Sequence, residues 1–464
     1  MIPAFASRAN RIVRVLWVVE SVLIVLSVVA AIWLRAHADP EGREWLFARG
    51  PVPALLVAAC LTLSMAAFGL YQSHLRLRRS ELLLRLLLAF AFGGVALLVL
   101  YYLIPATHIG RGLLAITFAL GFASVLVVRI AMDRLLGGEA YKRRVLVYGA
   151  GVHADLINLR MRRRADRQSF AVVGFLPVPG QPVVVESRLL LETLESLPCL
   201  VQRLGVQEIV VAPDERRGGL PMDEILACAQ RGVSVVNLPS FFEREAGMIK
   251  LEVVDPSSLV FSGGFDHSLV RRLSKRAFDI AAASVLLLVG WPAMLLVALA
   301  VHLEGGGPVL YRQVRVGESG RCFELVKFRS MRTDAEKDGV AQWATQQDAR
   351  TTRVGRFIRK TRLDELPQLF NVLAGDMSFV GPRPERPQFV DQFNDEIRYY
   401  SVRHSVKPGL TGWAQLRYPY GASAADAQEK LKFDLFYVKN HGLLFDFIIL
   451  VQTVEVVLFG RGAR

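Results

Sequence analysis

Only four cysteines occur in 464 residues, Cys60, Cys199, Cys228 and Cys322, and their scatter leaves no CxxC pair, which excludes a disulfide-stapled scaffold and a thiolate zinc site. The eight histidines form no HExxH pair, so a zinc hydrolase has no support either. Acidic residues are outnumbered, 42 against 56 basic, for a net charge of +14. No base-stacking platform or DNA-binding motif accompanies that excess, so it reads as membrane positioning and phosphate ligation, with no nucleic acid partner.

Long apolar runs are what the chain has in quantity. A hydrophobic share of 52% and a mean hydropathy of +0.34 exceed what a soluble chain of this length carries. Four segments precede the first polar domain, about Ile12 to Leu34, Val52 to Tyr71, Leu82 to Ile104 and Leu113 to Ile130, each near the roughly 20 residues a bilayer span needs. Glu20 and Arg85 interrupt them. No small-residue cleavage site follows the first segment, so it reads as a span and not as a signal peptide. Basic residues cluster at Arg8, Arg11 and Arg14, at Arg76, Arg78 and Arg79, and at Arg134 and Lys142 to Arg144, which puts both ends of the bundle in the cytoplasm.

Arg144 to Tyr148 then reads as a buried strand running into Gly149-Ala150-Gly151-Val152-His153-Ala154, a GxGxxA turn with a basic helix following to Arg164. Phe170 to Leu176, Glu208 to Val211 and Val233 to Asn237 read as further strands, with helices over Leu189 to Leu204 and Met222 to Arg231. This is the pattern of an α/β Rossmann-like domain. The acid that should hold a ribose is missing after the second strand, where the chain reads Gly174-Phe175-Leu176-Pro177-Val178-Pro179, so the glycines are expected to serve a tight turn and not a dinucleotide cofactor.

The stretch Arg350 to Pro384 carries the chemistry. Arg350, Arg353, Arg356, Arg359, Lys360 and Arg362 run up to Asp364-Glu365, and Gly381-Pro382-Arg383-Pro384 follows. Guanidinium forks match phosphate oxygens, and two carboxylates at the end of such a run are either neutralisers or reactive groups. Leu366, Leu369, Phe370 and Leu373 have the spacing of a helix with one buried face ended by Gly375, and Pro367 fits only its first turn. Asp364 and Glu365 are thereby predicted at a helix N-terminus. The competing reading is a solvated surface helix with an Asp cap. Lys327-Phe328-Arg329-Ser330-Met331 upstream and Lys407 to Trp413 downstream weigh against it.

Phe278 to Leu303 is long enough to cross a bilayer, yet Arg271, Arg272, Lys275 and Arg276 precede it and Arg312, Arg315 and Arg321 follow it. With Trp291-Pro292 near its middle, it predicts a re-entrant helix-break-helix. Leu443 to Phe459 reads as a further helix on the membrane surface.

The runs Lys327 to Met331, Thr351 to Gly355, Leu363 to Leu373, Gly375 to Pro384 and Lys407 to Gln415 are present in the order found in the bacterial sugar transferases, and residues 271 to 464 resemble that family of monotopic phosphoglycosyl transferases. The resemblance implies a membrane protein of three parts: a four-helix transmembrane bundle at 1–140, the Rossmann-like domain at 141–262 and an α-rich catalytic domain at 271–464 with the re-entrant helix 278–303. It implies transfer of a hexose 1-phosphate from a UDP-sugar to polyprenyl (undecaprenyl) phosphate, with release of UMP, to begin exopolysaccharide or related glycan assembly. Asp364 would be the nucleophile and, with Glu365, would hold Mg²⁺. Lys327, Arg329, Arg359, Arg362 and Arg383 would bind phosphates, and Asp434 and Tyr437 also match the family pattern as substrate-site candidates. Membrane lipid and a homodimer complete the expected partners, in the bacterial inner membrane with the catalytic domain on the cytoplasmic side. Residues 1 to 260 further resemble the membrane half of sugar-nucleotide dehydratases. Those use a YxxxK pair, and no tyrosine here has lysine four residues on. A catalytically inactive scaffold or nucleotide sensor of an export complex is the alternative; the intact Asp364-Glu365 and Gly381 to Pro384 argue against it.

Overall fold

The structure, a computed structural model, describes residues 8–36, 52–71, 79–105, 109–135, 142–161, 167, 169–192, 194–215, 220–254, 268–333, 350–418 and 423–459. It divides into two compact units, Met1–Phe241 and Phe242–Arg464.

The first unit opens with helices α1 (Arg8–Ala36), α2 (Val52–Ala67), α3 (Arg79–Leu103) and α4 (Arg111–Leu135). Their shared core is aliphatic, with Ile24, Val28, Leu61, Met65, Leu86, Leu97 and Val125 all buried. The two polar interruptions both find partners inside the bundle, which offsets part of the cost of burial in an apolar medium. Glu20 pairs with Arg129 of α4 at 2.6 Å, and Arg85 donates to the Phe68 carbonyl at 3.0 Å. Three of the four helices hold a stretch long and apolar enough to cross a membrane, Arg14–Arg35, Leu82–Leu103 and Arg111–Met132. The second is shorter than the sequence predicts. It ends at Ala67 after 16 residues, about 24 Å, because the chain turns at Phe68 to Tyr71.

Strands β1 (Arg143–Tyr148), β2 (Phe170–Leu176), β3 (Glu208–Val211) and β4 (Ser234–Asn237) form one parallel sheet in the order β2-β1-β3-β4. Between them lie α5 (Val152–Arg160), α6 (Leu197–Leu204) and α7 (Met222–Gln230). The helix predicted from Leu189 is confined to α6, since Pro198 and the Ser196 cap mark its start. The glycines of the GxGxxA turn face the chain itself. Gly149 has φ +132°, and a Cβ there would stand 2.2 Å from the Ala212 carbonyl oxygen; a Cβ on Gly151 would stand 2.0 Å from Asp214 Oδ2. That carboxylate accepts from the Val152 N–H at 2.9 Å and the His153 N–H at 2.8 Å, taking the helix-start donors that bind phosphate in dinucleotide folds.

Helix α8 (Leu238–Ala246) straddles the unit boundary. The second unit contains α9 (Leu269–Gly305), the antiparallel hairpin β5 (Leu310–Val316) and β6 (Cys322–Phe328), α10 (Arg353–Thr361), α11 (Gln368–Ala374), β7 (Ser378–Val380), α12 (Pro387–Glu396), β8 (Gly409–Thr411), α13 (Trp413–Arg417), α14 (Ala424–Asn440) and α15 (Leu443–Phe459). The unit also takes in chain that precedes residue 271, where the catalytic domain is expected to start. Glu243 pairs with Lys439 at 2.8 Å, Gly247 accepts from the Trp413 indole at 2.7 Å, and Ile249 N–H donates to the Lys432 carbonyl at 2.9 Å, so 243–254 packs on α13 and α14.

Helix α9 runs unbroken through Pro292, where a break is predicted. Proline removes one N–H donor but keeps φ near the helical value, so the helical path is retained. Both ends of α9 are fastened to this unit. Arg276 donates to the Val372 and Leu373 carbonyls at 2.6 and 2.7 Å, and Asp279 accepts from Ser378 Oγ and Phe379 N at 3.0 and 3.1 Å. At the far end Val297 and Val301 pack with Phe328 and Ile358, and Glu304 accepts from the N–H groups of Arg353 and Val354 at 2.7 and 3.0 Å. The stretch between is apolar and exposed, with Val285, Leu286, Leu288, Val289 and Trp291 outward.

Candidate active site

Asp364 and Glu365 do not start a long helix. Helix α10 ends at Arg362, a non-glycine residue held at φ +59°, and the sharp reversal leaves Leu363–Glu365 as a single 3₁₀ turn closed by the bonds Glu365 N to Arg362 O and Leu366 N to Leu363 O, both 3.3 Å. Helix α11 begins only at Gln368, after Pro367, and is seven residues long, so the predicted N-terminal dipole is a minor influence. Its buried face is Leu369 and Val372 with the polar Gln368 and Asn371; Phe370, predicted to be inside, is 55% exposed. The amide of Asn371 explains the exchange. It donates to the Glu324 carbonyl and accepts from Val326 N–H at 2.8 and 3.1 Å, tying α11 to the edge of β6.

That tie sets Lys327 beside the carboxylates. Asp364 is 7% exposed and its Oδ1 is buried with no hydrogen-bond partner among the described residues. Burial, and next the charge of Glu365, push Asp364 up to about 6, against the pull of Lys327, Arg362 and Arg359. Glu365 also suffers from burial, but Arg383 and Arg362, at 3.2 and 3.4 Å, overcome it and hold the group below the usual carboxylate range. Lys327, with its Nζ 5.4 Å from the centre of the Tyr311 ring, is pushed down to about 8, by burial first and then by Arg315 and Arg383. Arg359 donates to Thr351 Oγ1 at 3.2 Å. Six predicted residues therefore converge: Asp364, Glu365, Lys327, Arg359, Arg362 and Arg383.

Three others do not. Arg329 turns away from the carboxylates to the end of α9, donating to the Val301 carbonyl at 3.3 Å and packing on Gly305 and Gly307. The side chain of Asp434 is 4% exposed and pairs with Arg403 at 2.9 Å. Tyr437 is 1% exposed, its hydroxyl 2.9 Å from the Val380 carbonyl and 2.8 Å from Asp446 Oδ1. Neither Asp434 nor Tyr437 touches the site; both stand behind the Val380–Pro384 loop. Tyr311, Arg315 and Arg403 also stand at or behind the site and are not among the residues expected there from sequence. The first two share a face of β5, on the residue-by-residue alternation Tyr311, Gln313, Arg315, with Tyr311 directly paired to Lys327. That alternation was the available signal. Arg403 lies in the 3₁₀ segment Tyr400–Ser405 and had none.

A buried carboxylate with one free oxygen, ringed by four cations, is an arrangement for phosphoryl chemistry. The bacterial sugar transferase family model matches residues 270–460. Across 87% of the chain there is 32% identity to a UDP-glucose:undecaprenyl-phosphate glucose-1-phosphate transferase of Xanthomonas campestris pv. campestris, covering 86% of that protein. A transferase of the same name from Escherichia coli (strain K12) is 42% identical over 69% of this chain and 68% of its own. A UDP-N-acetylgalactosamine-undecaprenyl-phosphate N-acetylgalactosaminephosphotransferase of Aeromonas hydrophila is 44% identical over 51% of this chain; the match spans 55% of that relative's length. The chain belongs to the bacterial sugar transferase family.

Proposed function

We propose that the protein is a phosphoglycosyl transferase that moves a hexose 1-phosphate from a UDP-sugar to undecaprenyl phosphate through a covalent intermediate on Asp364. The observation that carries this reading is the buried Asp364 carboxylate, one oxygen unpartnered, beside Lys327, Arg359 and Arg362. The names of the relatives supply the donor and acceptor classes. In the first step an Asp364 oxygen attacks the sugar-side phosphorus. The bond from that phosphorus to the bridging oxygen breaks, and UMP leaves with the oxygen and its electron pair. In the second, an oxygen of the lipid phosphate attacks the same phosphorus and the acyl phosphate bond breaks, regenerating the carboxylate. Arg383 and Lys327 neutralise the charge that gathers on the leaving phosphate.

Asp364 and Glu365 suit the expected magnesium ion, since Mg²⁺ is held by one or two carboxylates completed by substrate phosphates and water, and the buried Asp364 Oδ1 has no hydrogen-bond partner among the described residues. When bound, the ion supplies further neutralisation of the pyrophosphate.

The parallel sheet of residues 143–237 we read as Rossmann-like, and α9 as a re-entrant membrane helix. Support for the latter is that both ends of α9 are fastened to the same unit while its apolar middle is bare, and that basic residues flank it on both sides. The catalytic unit then faces the cytoplasm from the inner membrane, where a soluble donor and a lipid phosphate can meet at Asp364 and start exopolysaccharide assembly. Intact-mass analysis after incubation with a panel of UDP-sugars and no acceptor tests the reading. A gain equal to one sugar phosphate, absent in Asp364→Asn, is expected; turnover by Asp364→Asn would overturn it.

A further inference from the structure

Arg383 sits between two prolines, Pro382 and Pro384, and this restricts how it can move. Pro384 confines the backbone of Arg383 to extended conformations, and Pro382 fixes its own φ. The freedom that remains is rocking of the Arg383–Pro384 peptide, which would swing the Arg383 guanidinium relative to Glu365. A buried group blocks that motion: Nη2 of Arg403 donates to the Arg383 carbonyl at 2.9 Å. Arg403 is 5% exposed and is itself held on three sides, with Nε 3.1 Å and Nη2 2.9 Å from Asp434 Oδ2, and Nη1 2.9 Å from the Tyr400 hydroxyl. The neighbouring carbonyls are held as well. Pro382 O accepts from Gly409 N at 3.0 Å, Pro384 O from Arg315 Nη1 at 3.0 Å, and Val380 O from Lys275 Nζ at 3.1 Å.

We propose that Arg403, locked by Asp434, is a positioning residue that aims Arg383 at the phosphate of the donor. The proposal rests on the reading that Arg383 neutralises the donor pyrophosphate. Arg403 does not touch substrate; its effect passes through one carbonyl. Asp434, a substrate-site candidate by sequence, takes its part here as the counter-charge that keeps Arg403 in place.

A merely structural pair would support folding and affect every variant alike, whereas a positioning pair matters only while Arg383 is there to be aimed. The test is a double-mutant cycle on the rate of the Asp364 adduct, followed by intact mass over hours so that slow variants register. Removing one charge alone would strand the other, so the pair is replaced together as Arg403→Met/Asp434→Leu, with Asp434→Asn as a milder variant that keeps the volume. In the Arg383 protein the double replacement should slow adduct formation on the order of a hundred-fold, the cost of about 1 Å of misplacement. In an Arg383→Ala background the same replacement should change the rate less than about threefold, within the scatter of independent sites. Asp434→Asn should show the same dependence at smaller size. Equal losses in both backgrounds, or none in either, would overturn the proposal. Absence of any adduct in the unmodified protein would instead strike the proposed function.

Discussion

The Asp214 carboxylate and the N–H of Val152 stand 2.9 Å apart, at the point where a dinucleotide-binding fold receives a phosphate. With His153 N–H on the other oxygen at 2.8 Å, the helix start is satisfied from within. The glycine at 151 is required by this approach, because a Cβ there would stand 2.0 Å from Asp214 Oδ2.

Gly151→Ala should therefore lower stability by roughly 1 to 3 kcal/mol, through expulsion of the Asp214 carboxylate and loss of its charge-assisted bonds. Hydrogen exchange at the 149–160 peptide should quicken, while the steady-state constants of the folded enzyme stay as they were. NAD added to the unmodified protein should leave that peptide's exchange unchanged; saturable protection by NAD would show that Asp214 yields to a ligand.

Asp364→Asn should abolish the adduct and raise stability together. The folded carboxyl, lifted to about 6 by burial and by Glu365, binds its proton more tightly than the unfolded one near 3.8. Folding is therefore penalised as pH rises through this interval, and the penalty is complete above it, at about 3 kcal/mol at most. The amide carries none. Urea unfolding of the two proteins should show the variant the more stable at pH 7.5 and the gap closing by pH 4; an unchanged gap would mean that Asp364 is not strained in the folded state.

Adduct formation should follow a bell between two limbs. The acid limb is ionisation of Asp364 near 6, and the alkaline limb is loss of the Lys327 proton near 8. Added magnesium should draw the acid limb lower. Lys327→Arg keeps the charge beyond pH 10, so its profile should lose the alkaline limb whatever its absolute rate. A fall near pH 8 that survives this substitution would assign that limb to another group.

The strands of the sheet were legible as apolar runs of strand length, and Asp364, Glu365, Arg362 and Arg383 as charges gathered near Pro367 and between Pro382 and Pro384, while the roles of all six converging residues came from the resemblance to the family. What could not be read was direction. Lys327 and Arg329 both come from Lys327 to Met331, two residues apart, yet Arg329 turns to the Val301 carbonyl of α9 while Lys327 reaches the carboxylates. Asp434 and Tyr437 share a face of α14, and the period of a helix marks that face without saying whether substrate or a 380–384 loop lies against it. Arg403 is buried with its ion-pair partner Asp434, which is distant in sequence. Phe370 gave the opposite error, since Asn371 has a hydrogen-bonding task on β6 and so takes the inward position.

The placement of α9 has the most direct test. A straight span would carry one end of the helix across the bilayer, yet Arg276 is fastened to α11 and Glu304 to the start of α10, both in the unit that holds Asp364. A continuous helix tied at both ends to one unit, with Val285 to Trp291 bare between, can bury that apolar stretch by dipping into one leaflet. Pro292 removes a hydrogen bond near the middle, where bending is then easiest. Arg272→Cys and Arg312→Cys, each alone in a background lacking the four native cysteines, should react with an impermeant maleimide only once the inner face is opened. Labelling of either one from the periplasm would mean a true crossing. Pro292→Leu restores the missing donor and stiffens the helix, so it should shift the segment toward that crossing, expose one of the two cysteines outside and abolish transfer with every residue of the active site unchanged.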